Sequence, residues 1–317
     1  MTNWASAIKL ENGEYPKFND NIDLNFSIDS IIYYASSYLG QNIIEEESIK
    51  NQLSKIYKKK LTLKENFFKI NNDKSLIKLL NTGWIIAKIN NSVELVFKVG
   101  KSCPKSLPAH AHSDLLSFEL FCKGVPLIVE TGTSIYGDNK KRHFERSGQA
   151  HNILQLAPFL KNKKELIQWI EPIEVWGNFR AARKAKILEK VGMILKDGTI
   201  FMKGSNDANH RYGAKYARII KLKQVDENNI LLEVIDEISC TKKMYWRQFW
   251  HLGPEQNTDF LLPMIDELRK KYIFEEKFID SWIAIKFGKI EKRKTLQLSG
   301  IIEPGNHKFS NQLVIKN

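Results

Sequence analysis

From residue 83 onward the sequence is a succession of short apolar runs, rich in β-branched and aromatic side chains and each cut off by turn residues. Residues 84–89, 93–99, 115–121, 126–129 and 153–156 make a first group, and 199–202, 217–222, 230–238, 245–252, 282–287, 295–302 and 312–315 a second. Asn90-Asn91-Ser92 between the first two runs reads as a hairpin turn. One short helix is expected at 264–271. So many strands, so closely spaced and with so little helix between them, predict a mainly β chain built as an antiparallel β-sandwich rather than a parallel α/β sheet. No internal repeat is present.

Before residue 80 the periodicity is helical. Ser27 can cap a helix through Ile28, Ile31, Ile32 and Ala35 that ends at Gly40. Ile49, Leu53, Ile56 and Tyr57 place a second buried stripe at helical spacing. Leu61, Leu63 and the run 67–80 are less regular and are assigned to a third helix. The expected organisation is therefore a helical segment over 1–80 followed by a β-sandwich domain over 81–317.

The chain has 317 residues, enough for a sizeable core, and a net charge of +13. That charge favours an acidic partner: nucleic acid, anionic lipid or an acidic polysaccharide. Its basic residues are spread out, with no arginine-rich arm and no zinc-knuckle spacing, so nucleic acid is not the expected partner. Cys103, Cys122 and Cys240 form no CxxC motif and read as free thiols. No apolar stretch approaches the ~20 residues of a membrane span. The start, Met1-Thr2-Asn3-Trp4, shows no export signal.

Chemistry concentrates between residues 109 and 152. The run Ala109-His110-Ala111-His112-Ser113-Asp114 is followed by Glu130-Thr131-Gly132-Thr133 and then by Ala150-His151-Asn152. If the first segment is extended, His110, His112 and Asp114 leave the same face. Zinc favours such imidazole and carboxylate ligands, and Glu130 or His151 can complete a set; the alternative is a polar strand face whose histidines bond to the backbone. Glu130 can equally accept hydrogen bonds from the turn that follows it. Tyr136 can act as a general acid or base if Arg142 and Arg146 lower its pKa, or it can be an edge aromatic. Those arginines can in turn be a solvated basic loop. Asn152 can donate to an anionic substrate group or cap a turn. Trp176 and Arg180 suit sugar stacking with carboxylate recognition, or a sandwich edge. His210-Arg211-Tyr212 carries no assignment, and His143 is expected to be exposed.

The string Ala109-His110-Ala111-His112-Ser113-Asp114-Leu115-Leu116-Ser117-Phe118-Glu119-Leu120 resembles the His-x-His-x-Asp-x-Leu-Ser-Phe-x-Leu signature of heparinase II/III-like polysaccharide lyases. Gly124-Val125-Pro126-Leu127-Ile128-Val129-Glu130-Thr131-Gly132-Thr133 is similar to that family's Gly-x-Pro-Leu-Leu-Val-Asp-x-Gly-Thr. Arg142-His143-Phe144-Glu145-Arg146-Ser147 and Ala150-His151-Asn152 resemble its Arg-x-Tyr-Phe-Arg-Ser and Ala-His-Asn-Thr blocks. Trp176-Gly177-Asn178-Phe179-Arg180 matches a weaker one, and Gly13-Glu14-Tyr15-Pro16-Lys17-Phe18-Asn19-Asp20 resembles the linker late in the family's helical domain.

This resemblance implies a helical toroid followed by a β-sandwich, and β-elimination of uronate-containing polysaccharides. It implies structural zinc held by His112, Glu130 and His151, with His110 and Tyr136 as proton-transfer residues and Arg142, Arg146 and Asn152 positioning an acidic polysaccharide. It also implies a periplasmic or cell-envelope setting. Two departures stand out: Glu130 replaces the usual Asp, and only the last helices of a toroid fit before residue 80. The chain therefore reads as the C-terminal portion of a longer ancestor. The expectation is a lyase-type sandwich. The alternative is a non-catalytic carbohydrate-binding or accessory module that needs a toroid on another chain.

Overall fold

A computed structural model describes residues 8–20, 67–71, 75–105, 107–160 and 166–316. Six strands come first and pair in sequence order: β1 (Phe67–Asn71), β2 (Ser75–Leu80), β3 (Trp84–Ile89), β4 (Val93–Lys98), β5 (Phe118–Cys122) and β6 (Val125–Ile128). The expected hairpin between β3 and β4 is present. Ser92 N donates to Ile89 O at 3.0 Å, and Asn90 and Asn91 both take φ +52°, the left-handed pair that a tight two-residue turn requires.

A helix, α1 (Lys140–Arg146), and a strand, β7 (Leu154–Pro158), follow. Next comes the small hairpin β8 (Glu174–Trp176) and β9 (Arg180–Ala182). A five-stranded sheet is built from β10 (Ile187–Ile194), β11 (Ile200–Asn206), β12 (Ala214–Gln224), β13 (Asn229–Cys240) and the final strand β17 (Gly305–Lys316). The remaining sheet has the order β15 (Phe274–Lys286), β16 (Lys289–Ile302), β14 (Met244–His251), β7. Every strand pairing is antiparallel, as the sandwich expectation requires.

Alternation explains which sheets face water. In β11 the inward residues Ile200, Met202 and Asn206 are buried while Lys203 and Ser205 are not. Strand β14 is central in its sheet and nearly all buried, with Trp246 and Trp250 almost fully enclosed. Trp246 packs on Phe309 of β17 at 4.5 Å and Trp250 on Phe118 of β5 at 5.7 Å, so β14 joins the other two large sheets into one core. Each such ring contributes roughly 1.5–3 kcal/mol by leaving water. Gly204 sits where two sheets nearly touch. A Cβ there would stand 2.4 Å from Val99 Cγ1 and 2.6 Å from Leu116 Cδ2.

The third helix expected over 67–80 is instead β1 and β2. Ser75-Leu76-Ile77-Lys78-Leu79-Leu80 buries Ser75, Ile77 and Leu80, and its backbone pairs with β3, so sheet pairing overrides the weak helical spacing. The boundary expected at 80 therefore falls inside the six-stranded sheet. The helices expected around 27–40 and 49–57 lie outside the described residues. The short helix near 264–271 is present as a 3-10 turn, Leu262–Ile265, running into α2 (Asp266–Arg269). No helix among the described residues is long and apolar enough to cross a membrane.

Candidate active site

Helix α1 is one of the devices that build the site. Asn139 caps it, accepting from Arg142 N at 2.9 Å. Its inward face carries Arg142, Glu145 and Arg146, three to four residues apart, while Lys140 and His143 face out. A 3-10 turn, Gly148–Ala150, then delivers His151 into the core beside the strand end at Glu130. Residues 131–134 run alongside β15, with Ala284 N donating to Thr131 O at 2.7 Å.

The segment carrying His110 is not extended. His110 has φ +56°, a left-handed conformation unusual for a residue with a Cβ. This breaks the expected common face: His112 and Asp114 are fully buried, whereas the His110 side chain is 49% exposed. Asp20 joins the two histidines. It lies 2.8 Å from His110 Nδ1 and 2.8 Å from His112 Nε2, and it takes a further bond from Arg142 Nη2 at 2.6 Å. Burial opposes the Asp20 charge, but the His112 hydrogen bond and the charges of His112 and Arg142 hold its carboxyl well below the usual range. An ionised Asp20 accepts from Nδ1–H of His110, which leaves His110 Nε2 as the lone-pair nitrogen.

Tyr136 is linked to His110 through a single intervening ring. Its ring stands 4.9 Å from Phe179, which stands 4.9 Å from His110. Arg142 lies over the Tyr136 ring at 5.1 Å. Burial first, and the Asp20 charge second, push the Tyr136 hydroxyl up against the opposing effect of Arg142. This corrects the expectation of a lowered pKa and suits Tyr136 to donating a proton rather than removing one.

The three residues expected to position substrate are all buried in this structure. Arg146 gives its donors to main-chain oxygens of Ala111, Gly177, Phe179 and Arg180 at 2.9–3.2 Å, which ties the β8–β9 hairpin to the His110 segment. Arg142 bonds to Asp20, to Asn178 O and to Thr133 Oγ1. Asn152 donates to Phe118 O at 3.1 Å and accepts from His251 N at 2.7 Å. Two further buried arginines, absent from the sequence reading, do similar work. Arg218 pairs with Asp236 and donates to Leu116 O and Asn152 O. Arg293 donates to Val129 O at 2.7 Å and to Thr131 Oγ1 at 2.8 Å.

His112, Glu130 and His151 are brought together, with the two imidazole rings 5.5 Å apart. His112 Nδ1 and His151 Nε2 are buried with no hydrogen-bond partner, and on each ring the other nitrogen meets a carboxylate, Asp20 or Glu130. Metal-binding histidines are oriented in this way, so the two imidazoles fit a zinc ion. Burial takes His112 down to about 4, against the pull of Asp20, so it is neutral and ligand-ready at pH 7. Glu130 fits less simply: its oxygens accept from Ser117 Oγ, from Asn152 and from His151. Among the described residues no three His, Cys, Asp or Glu side chains stand in ligating geometry. Behind them, burial and the charge of Glu130 push Glu119 up to about 8.

A Heparinase II/III-like C-terminal sequence profile matches residues 71–298, most of the chain. The chain belongs to the heparinase II/III-like family. No curated protein matches it significantly. Among solved structures, a heparinase III gene product is 15% identical with a TM-score of 0.63, the match covering 100% of this chain and 46% of that one. The heparan sulfate lyase HepC of Pedobacter heparinus is also 15% identical, with a TM-score of 0.61 and coverages of 98% and 45%. The chain thus spans about half the length of these heparinase structures, and at that identity the likeness shows the shared fold.

Asp20, Phe179 and Phe287 adjoin His110 and Tyr136 and were not singled out in the sequence as site residues. For Asp20 a signal existed, since it closes the Gly13 to Asp20 block of the heparinase-like resemblance. Of the aromatic block at 176–180, Phe179 reaches the site, whereas Trp176 is 51% exposed and donates to Glu174.

Proposed function

We propose that this chain is the sandwich portion of a polysaccharide lyase that cleaves uronate-containing acidic glycans by β-elimination. The observation that carries this reading is the pairing of His110, oriented through Nδ1 by Asp20, with Tyr136 across the Phe179 ring. His110 Nε2 takes the proton from C5 of the uronate. The C5 electron pair forms the C4–C5 double bond, the C4–O4 bond breaks, and Tyr136 delivers its proton to O4. Zinc belongs to the proposal as a structural ion held by His112 and His151, with Glu130 either ligating or orienting His151; when bound it pins the strand end and the two loops together. Loss of metal content and a lower thermal midpoint in His151→Ala support that assignment, and no change in either contradicts it. A periplasmic or cell-envelope setting fits such a substrate.

The two steps separate experimentally. In deuterated buffer Tyr136→Phe is expected to keep C5 proton exchange into an acidic glycan while losing chain cleavage, and His110→Ala is expected to lose both. Cleavage that survives in both variants contradicts the assignment.

A second reading has its own support. Arg142, Arg146 and Asn152 have their polar atoms engaged within the protein, which leaves the group that neutralises the sugar carboxylate to come from elsewhere. This favours an accessory carbohydrate-binding module completed by a helical toroid on another chain. Cleavage that appears only on adding such a toroid would select it.

A further inference from the structure

β-Elimination next to a uronate needs a cation or strong donor at the sugar carboxylate, and Arg142 and Arg146 have spent theirs inside the protein. The turn between β15 and β16 presents other cations. Phe287 at its tip is 44% exposed, and its ring stands 5.1 Å from Tyr136. Lys286 and Lys289 flank it as register partners; both are exposed, and neither has an ion-pair partner among the described residues. The tip is not a loose excursion. Gly288 N donates to Ser134 O at 2.8 Å, and Ala284 N donates to Thr131 O, so the hairpin is tied to the segment between Glu130 and Tyr136. His110, Phe179, Tyr136 and Phe287 thereby form an unbroken row of rings drawn from four distant parts of the sequence.

We infer that the β15–β16 tip is a sugar-binding lip, with Phe287 stacking on a pyranose ring and Lys286 and Lys289 taking that unit's carboxylate or sulfate. The inference rests on the lyase reading and deepens it. An aromatic face suits the apolar C–H side of a sugar, and two unpaired ammonium groups beside it select acidic over neutral units. Phe287 is a binding residue here and takes no part in proton transfer.

The test is calorimetric titration of the purified chain with tetrasaccharides from heparan sulfate and from alginate, and with a neutral maltotetraose control. Phe287→Ala is expected to weaken binding of the acidic ligand about tenfold. Lys286→Ala/Lys289→Ala is expected to weaken it comparably and to flatten its salt dependence. Thermal midpoints should stay unchanged, because all three side chains are exposed. Variants that bind like the parent overturn the lip while leaving the lyase reading standing. A parent that binds neither acidic tetrasaccharide, or binds the neutral control equally well, also overturns the lip, and the lyase reading then stands or falls on cleavage of the wider set of acidic glycans.

Discussion

The Asp20 carboxylate accepts from His110 Nδ1 at 2.8 Å across 90 residues of chain, and His110 holds a left-handed backbone as it does so. The same carboxylate satisfies His112 and Arg142, so one side chain supports both the proposed base and the packed arginine beneath Tyr136. Replacing Asp20 by Asn keeps the shape but removes the charge that fixes the His110 tautomer. Turnover of an acidic glycan is expected to fall by on the order of a hundredfold with substrate affinity little changed. Asp20→Ala goes further, stranding the buried Arg142 and His112, and should cost about 3–5 kcal/mol in chemical denaturation. An Asp20→Ala variant as stable as the parent contradicts this account of Asp20.

Arg218 and Asp236 form a fully buried pair whose guanidinium also reaches Asn152 O and Leu116 O. Asp236→Ala leaves that guanidinium uncompensated and is expected to destabilise the chain by about 3–5 kcal/mol. Because Asn152 directly follows His151, the loss should also loosen the His151 loop. Hydrogen exchange at 148–152 should quicken in a variant that is otherwise folded, and unchanged protection there would show that Arg218 does not hold the loop.

Glu171 supplies a pH signature away from the proposed ligands. Burial raises its carboxyl above the ordinary 4.5, against the charge of Arg247 and a hydrogen bond from Gly148 N. The folded chain therefore binds this proton more tightly than the unfolded chain. The stabilisation is full below about 4.5 and is lost as pH rises through the raised folded value. Glu171→Gln should flatten this fall in thermal midpoint above pH 4.5, and a slope identical to the parent's would show that Glu171 does not contribute to it.

Strands were legible wherever a short apolar run was bounded by turn residues and packed. Residues 84–89 and 230–238 announce β3 and β13 because their apolar side chains fill the shared core. Strands β8 and β9 are three residues each, and β10 is an edge strand whose Ile187-Leu188-Glu189-Lys190 start mixes polar with apolar, so neither left a clear period. Strands β1 and β2 carried helix-like spacing that only their pairing with β3 overrides. At the site, His110, His112, Glu130 and His151 were legible because they lie in compact motifs. The arginines' work was not: composition shows a cation, and only the fold shows that Arg146 is enclosed by four carbonyls. Phe287 joins the site through long-range packing, which no local pattern encodes, and the one sequence signal for Asp20 is its place at the end of the Gly13 to Asp20 block.

Proton transfer by His110 and Tyr136 in β-elimination on an acidic glycan is the proposal on which the rest depends. Ultraviolet absorbance of the unsaturated uronate product, followed with the purified chain on heparan sulfate, alginate and bacterial surface polysaccharides, tests it most directly. The expected result is a rise on at least one of these glycans that disappears in Tyr136→Phe while that variant stays folded. Folded parent chain that gives no rise on any of them, or a rise that persists in Tyr136→Phe, would contradict it.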